Sequence, residues 1–150
     1  MEPMTWADHR VSIHEAGHVA VAIYFGLRVQ SATMGCVVIP SRPYRAPDDD
    51  NSIENLIVNA AGDAATTALL GWTGGGIGDD ENSRRQLRDL GAGFFLRRRL
   101  MRQARWAALA RVWSLKAEIF AVAAALRERR VMSQRQIDAV LREGAEDKAL

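Results

Sequence analysis

Residues 6–25 read WADHRVSIHEAGHVAVAIYF and are followed by Gly26. No proline interrupts them. Thr5 with Asp8 three positions later resembles a capping box with Asp as the acid, and Gly26 suits the position just past a helix C-terminus. From Val19 onward the stretch is apolar almost all round, which predicts a buried helix. Inside it lies His14-Glu15-Ala16-Gly17-His18, an H-E-x-x-H pattern. Residues four apart share one helix face. Two imidazoles so placed can ligate one zinc ion, each nitrogen about 2.0–2.1 Å from the metal. Glu15, on the adjacent strip, reaches a water held by that metal without being a ligand, and can take its proton as general base. Ala16 and Gly17 are small and let another element or a substrate come close. The pattern also arises by chance in helices. Here it sits mid-helix in apolar surroundings, where inward polar groups need partners, and it uses two of the chain's three histidines. His9, five residues before His14, falls on another face and reads as a surface residue.

A catalytic zinc needs a third protein ligand and one open position. With no other histidine well placed, a carboxylate is expected. Asp48, Asp49 and Asp50 lie among Pro40, Pro43 and Pro47 and read as solvated loop. Asp63 sits in an Ala-rich segment, as a ligand or as a partner behind one. Asp79, Asp80 and Glu81 follow the glycine-rich stretch 72–78, whose backbone is free to take unusual angles. These acids stand where a helix should begin, and the helix dipole favours acids there. Asp79 is four before Ser83 and Asp80 seven before Leu87, so both can face inward.

The remaining elements follow from periodicity. Residues 27–39 read as extended, with a second strand too weak to place. Asn51 with Glu54 marks another helix start, and Ile53, Leu56, Ile57, Ala60, Ala61, Ala64 and Ala65 recur at helical spacing. That helix should end near Leu70, before Gly71. Ser83, Leu87, Leu90 and Phe94 mark the inner face of a third helix, which Gly91 and Gly93 weaken. A long helical region should run from Phe95 to about Arg129. Ser133 with Gln136 opens a last helix reaching about Arg142. The expectation is one domain over residues 1–150, mainly α with a small β element.

Composition narrows the class. Of 150 residues, 48% are hydrophobic, enough for a core, and the formal net charge is only +2. This is not a disordered chain. The single cysteine, Cys36, excludes an intrachain disulfide, suits a reducing compartment, and reads as a small buried hydrophobe. Residues 1–10 lack the pattern of a signal peptide. The longest apolar run, 19–25, is far short of the roughly 20 residues that span a bilayer. The expected setting is soluble and cytoplasmic, without a membrane. Residues 84–111 are rich in arginine, with Asp89 the only acid. Contact with nucleic acid or an acidic partner competes with a solvated helix face whose arginine stems cover apolar surface. The second is favoured, because the whole chain is near neutral and carries no nucleic-acid motif. Trp106, Trp113 and Phe120, seven apart, suggest a core or interface seam.

Four ordered pieces resemble the peptidase domain of the FtsH-type membrane-anchored AAA+ proteases and their stand-alone relatives. Residues 12–19, around His14-Glu15-Ala16-Gly17-His18, resemble the family's H-E-A-G-H-A segment. Ala60-Ala61-Gly62-Asp63-Ala64-Ala65 resembles its small-residue helix. Residues 74–80 resemble its glycine-containing loop leading to an Asn-Asp pair, and residues 131–141 its C-terminal helix. The resemblance implies a helical, zincin-like fold and a zinc metalloendopeptidase acting on unfolded proteins or peptides. It implies an edge strand within residues 30–39 that holds extended substrate. It makes Asp80, aligned with the Asp of Asn-Asp, the third ligand, with Asp79 close behind because it places small Ser83 where the family has Ala. The chain departs from the family in carrying Thr66 and Thr67 where acids usually follow the small-residue segment. It also has no G-x-x-x-x-G-K-[ST] loop, so folded substrates would need a separate ATPase. A peptidase-like fold kept as a binding or regulatory module is the alternative.

Overall fold

The computed structural model describes residues 3–40, 42–72 and 77–149, the side chains of Ile77 and Gly78 excepted. Helix α1 (Trp6–Tyr24) opens with a reciprocal capping box, Asp8 N–H donating to Thr5 Oγ1 while Asp8 accepts from Thr5 N–H. Residues 12–22 of α1 are buried apart from half-buried His14. Gly26, at φ 72°, supplies the left-handed backbone that turns the chain away.

Strands β1 (Ser31–Thr33) and β2 (Cys36–Val38) form a tight hairpin, and β3 (Val131–Ser133) pairs with the other side of β1. The order β2-β1-β3, antiparallel throughout, makes β2 an edge. The predicted extended segment is therefore a hairpin. Its third strand, absent from the sequence reading, lies in the turn before the last helix.

Helix α2 (Asp50–Leu70) is capped by Asp49, whose Oδ1 accepts from Asn51 N–H at 2.8 Å, and not by Asn51. Gly71, at φ 67°, ends it as expected. Helix α3 (Ile77–Asp89) begins two residues before Asp79; residues 73–76 of the glycine-rich loop lie outside the described residues. Gly91, at φ 77°, ends α3, and Gly93 caps α4 (Phe94–Ser114), so the glycines do break the helix. Phe94 is 58% exposed and not part of an inner face. The long helical region divides again at Leu115, between α4 and α5 (Lys116–Arg129). Ser114 Oγ donates to the Arg111 carbonyl at 2.9 Å, a local bond that competes with the helix ladder at the break. Helix α6 (Gln134–Lys148) has the expected Ser133–Gln136 capping box and runs one and a half turns beyond Arg142.

Among the described residues the fold is thus mainly α with a three-stranded sheet. Helix α1 is the spine, packed on α2 and α5, with α4 packed against α2. The α1–α2 contact is close because it is built from small residues. A Cβ on Gly17 would stand 2.6 Å from the Ala61 carbonyl oxygen and 2.8 Å from Ala65 Cβ. Trp106, Trp113 and Phe120 are exposed, so their seven-residue recurrence is not a core seam. Cys36 is exposed on the edge strand, not buried. His9 is half-buried beside Arg127, whose Nη1 lies 3.2 Å from His9 Nδ1 and 2.8 Å from Ser12 Oγ.

Candidate metal centre

The α1 helix sends His14 and His18 to the same side, one turn apart, toward α2. Their Nε2 atoms are 3.1 Å apart, and Asp79 Oδ2 lies 3.0 Å from the first and 3.1 Å from the second. Ligands on a tetrahedral zinc at 2.0–2.1 Å stand about 3.3 Å from each other, so this triangle is close to the required size.

The proton positions sharpen the case. His18 Nδ1 is 2.7 Å from the Val58 carbonyl, which can only accept, so this nitrogen donates. A neutral His18 ring then presents an unprotonated Nε2 to the triangle. His14 Nδ1 is 3.6 Å from Asp63 Oδ1, a buried oxygen with no hydrogen-bond partner. Both imidazoles turn Nε2 toward a common point; the Val58 carbonyl fixes the His18 ring as an outer partner does for a metal-ligating histidine, and His14 Nδ1 only faces Asp63. With His18 neutral, its Nε2 lone pair and the Asp79 oxygen 3.1 Å away repel one another unless a proton or a metal cation lies between them. The donor set of two imidazoles and one carboxylate suits zinc with one position left open.

The electrostatics agree. Burial would lower the pKa of His18, but the Asp79 carboxylate outweighs it and the net shift is upward. Burial would raise Asp79, yet His14 and His18 hold it well below the usual carboxylate range. The pair asks for positive charge at this point. Glu15, 7% exposed, is pushed up by burial, with His18 and His14 opposing. Burial likewise pushes Asp63 up.

Asp80 does not join the cluster. Its Oδ2 pairs with Arg105 Nη2 of α4 at 3.0 Å. Successive helix residues differ by about 100° in direction, and α3 touches both α2 and α4. On the α2 side, Gln86 Nε2 donates to the Ser52 hydroxyl at 2.9 Å and the Ser52 carbonyl at 3.1 Å, and Asn59 Nδ2 donates to Ser83 Oγ at 3.2 Å. Asn55 also bonds Gln86. These contacts turn the edge of α3 that carries Asp79 toward the histidines and leave Asp80 facing α4. Of the two acids that the sequence left open, the fold brings Asp79, and not Asp80, to the histidines. Ser52, Asn55, Asn59 and Gln86 escaped the sequence reading; their only signal is polar side chains on helix faces that otherwise read as core.

Gly62 explains how the rings fit. A Cβ there would stand 2.5 Å from His18 Nε2 and 2.6 Å from His14 Nε2. Asp63, one residue on, serves behind His14 and is not in the triangle. Thr66 is buried and its hydroxyl returns to the Asp63 carbonyl at 3.1 Å, and Thr67 Oγ1 donates to the Trp72 carbonyl, so neither adds charge to the centre.

No protein-family model matches the chain, and neither does any curated protein. The geometry has to carry the functional argument. It includes an open cleft of about 390 Å³ in which His14, Glu15, His18 and Asp79 face Val37 and Ile39, so the β-hairpin edge borders the cluster. Asp48 and Asp50 do not line it. No helix among the described residues is long and apolar enough to cross a membrane.

Proposed function

We propose that this chain is a zinc-dependent endopeptidase, with His14, His18 and Asp79 as metal ligands and Glu15 as general base. One observation carries the reading: three ligand atoms of the right kinds converge at about the right spacing, with a buried carboxylate beside them and an edge strand along the same cleft. Zinc bound there would supply Lewis acidity, polarising an amide carbonyl and making a water more acidic.

The residues supply the rest. Glu15 takes a proton from the attacking water and hands it to the departing amine nitrogen. Its raised pKa suits both halves of that transfer better than a fully solvated carboxylate would. Among the described residues no strand pairs with the outer side of β2, which leaves backbone groups there for a partner. An extended substrate can add to it as a further strand, a mode that reads backbone more than sequence. Substrates of this kind are unfolded segments and peptides; a folded protein would need a separate ATPase to deliver it. A cytoplasmic, reducing setting fits the exposed thiol of Cys36. The reading of a peptidase-like binding module is weaker, because Asp63 supplies behind His14 a carboxylate that Thr66 and Thr67 do not.

The test is Glu15→Gln. The variant should retain one zinc per chain and lose hydrolysis of casein or an unstructured peptide. Full activity in that variant would overturn the mechanism, and an active wild-type chain without zinc would overturn the reading itself.

A further inference from the structure

Away from the metal centre, Arg84 of α3 and Phe94, Arg97, Arg98, Met101 and Arg105 of α4 enclose a second cleft of about 440 Å³, within the size range of small-molecule sites. Among the described residues, four of its six lining residues are arginines and none is acidic. Two have acidic neighbours: Arg105 pairs with Asp80 at 3.0 Å, and Arg84 stands 3.9 Å from Glu81. Arg97 donates only to the Ala92 carbonyl, and Arg98 has no ion-pair partner among the described residues.

The placement is electrostatically costly. Helix α4 starts at Gly93 with no side-chain cap among the described residues and no acid in its first turn. Its amino end is positive, yet Arg97 and Arg98 follow within the first turns. From residue 90 to residue 117 the chain has seven basic residues and no acid, although its net charge is only +2. The local excess of guanidiniums attracts an anion to the cleft. A guanidinium offers the forked, bidentate hydrogen bonding that phosphate oxygens accept. Phe94, 58% exposed, and Met101, buried, give the cleft an apolar wall.

We propose that this cleft binds a phosphate ester, its phosphate held by Arg84, Arg97, Arg98 and Arg105 and its apolar or aromatic remainder resting on Phe94 and Met101. The lining comes from one pair of neighbouring helices and suits a single small group. A nucleic-acid strand instead needs a basic track with successive stacking platforms.

The experiment is titration calorimetry of the full chain at low ionic strength. Its probes are pyrophosphate, ADP and vesicles of phosphatidic acid in phosphatidylcholine, with pure phosphatidylcholine vesicles as control. Saturable binding of ADP, or of the phosphatidic-acid vesicles alone, is expected; the first assigns a free ester and the second a lipid headgroup. Arg98→Ala should weaken binding about tenfold or more, as the loss of a charge-assisted hydrogen bond does, and Arg84→Ala with Arg98→Ala should remove it. Arg98→Lys should fall between. Phe94→Ala should weaken ADP and spare pyrophosphate. Arg84, Phe94 and Arg98 are exposed, so circular dichroism should show each variant folded. The proposal fails if no probe binds, if the double arginine variant binds as wild type does, or if single-stranded RNA binds while all three probes do not. ADP and pyrophosphate binding alike, with Phe94→Ala without effect, would overturn the apolar wall.

Discussion

Replacing Gly62 by alanine tests the proposed metal centre through a residue that is neither proposed ligand nor proposed base. An added Cβ would stand 2.5 Å from His18 Nε2 against an ordinary contact of 3.4 Å, a shortfall of 0.9 Å, and it meets His14 Nε2 almost as closely. The obstructing atoms are the far ends of two side chains, so the rings can swing aside while the helices keep their places. The fold should therefore survive, with a cost of about 1–3 kcal/mol as for other overpacked sites. Metal binding should not survive, because ligand distances must be met within about 0.2 Å and both imidazoles would be displaced by several times that. We expect zinc affinity, read by competition with a fluorescent chelator, to fall more than about 100-fold while the circular dichroism spectrum is unchanged. Gly17→Ala gives the opposite split. Its Cβ meets the Ala61 backbone oxygen at 2.6 Å, which cannot swing away, so α1 and α2 must separate. Stability should fall first, with metal loss only a consequence. A Gly62→Ala chain that binds zinc as tightly as wild type would refute the assignment of the Gly62-facing ring atoms as ligands.

Further substitutions test the third ligand, the cap of α1 and the interior of α6. Asp79→Ala should lose zinc by more than about 100-fold, since even outer partners of a ligand are worth about 10–100-fold; Asp63→Ala should fall in that outer range. Asp80→Ala should cost less than about fivefold, because its exposed pair with Arg105 is worth about 1 kcal/mol or less; equal losses for Asp79→Ala and Asp80→Ala would overturn the proposed role of Asp79. Asp8 is held below its ordinary 3.8 mainly by the Thr5 backbone N–H and hydroxyl. Its folded value is the lower one, so its stabilisation is full above the unfolded pKa and is lost as pH falls through the folded pKa. Urea midpoints followed from about pH 5 to about pH 2 should drop less for Asp8→Asn than for wild type. Gly144→Ala within α6 meets nothing within 4 Å and should stabilise by about 0.4–1 kcal/mol in thermal or urea unfolding.

What the sequence made legible was whatever is decided within about one helical turn. The Thr5–Asp8 and Ser133–Gln136 capping boxes, Gly26 and Gly71 at helix ends, and the shared face of His14 and His18 depend on neighbours three or four residues away, and each stands where the pattern put it. The near misses have the same origin one step further out. Asn51 looked like a cap because Glu54 follows it, but Asp49, two residues earlier, reaches the same N–H groups. Strand β3 is three residues long with only Met132 buried, too short for any periodicity; it exists because β1 offers it a partner a hundred residues away. Cys36 looked buried because Val37, Val38 and Ile39 follow it, but β2 is an edge and the hairpin turns the thiol outward. Asp79 against Asp80 is the sharpest instance. Both lie on the inward half of α3, and nothing local separates them. The choice is made by Arg105, twenty-five residues on, which takes Asp80, and by Gln86 reaching back to Ser52, which sets the roll of α3 on α2. A helix with an inner face but two neighbours has two inner edges. Which edge faces the histidines is a property of the packing, so a third ligand supplied from another helix is the part of such a centre that a motif cannot contain.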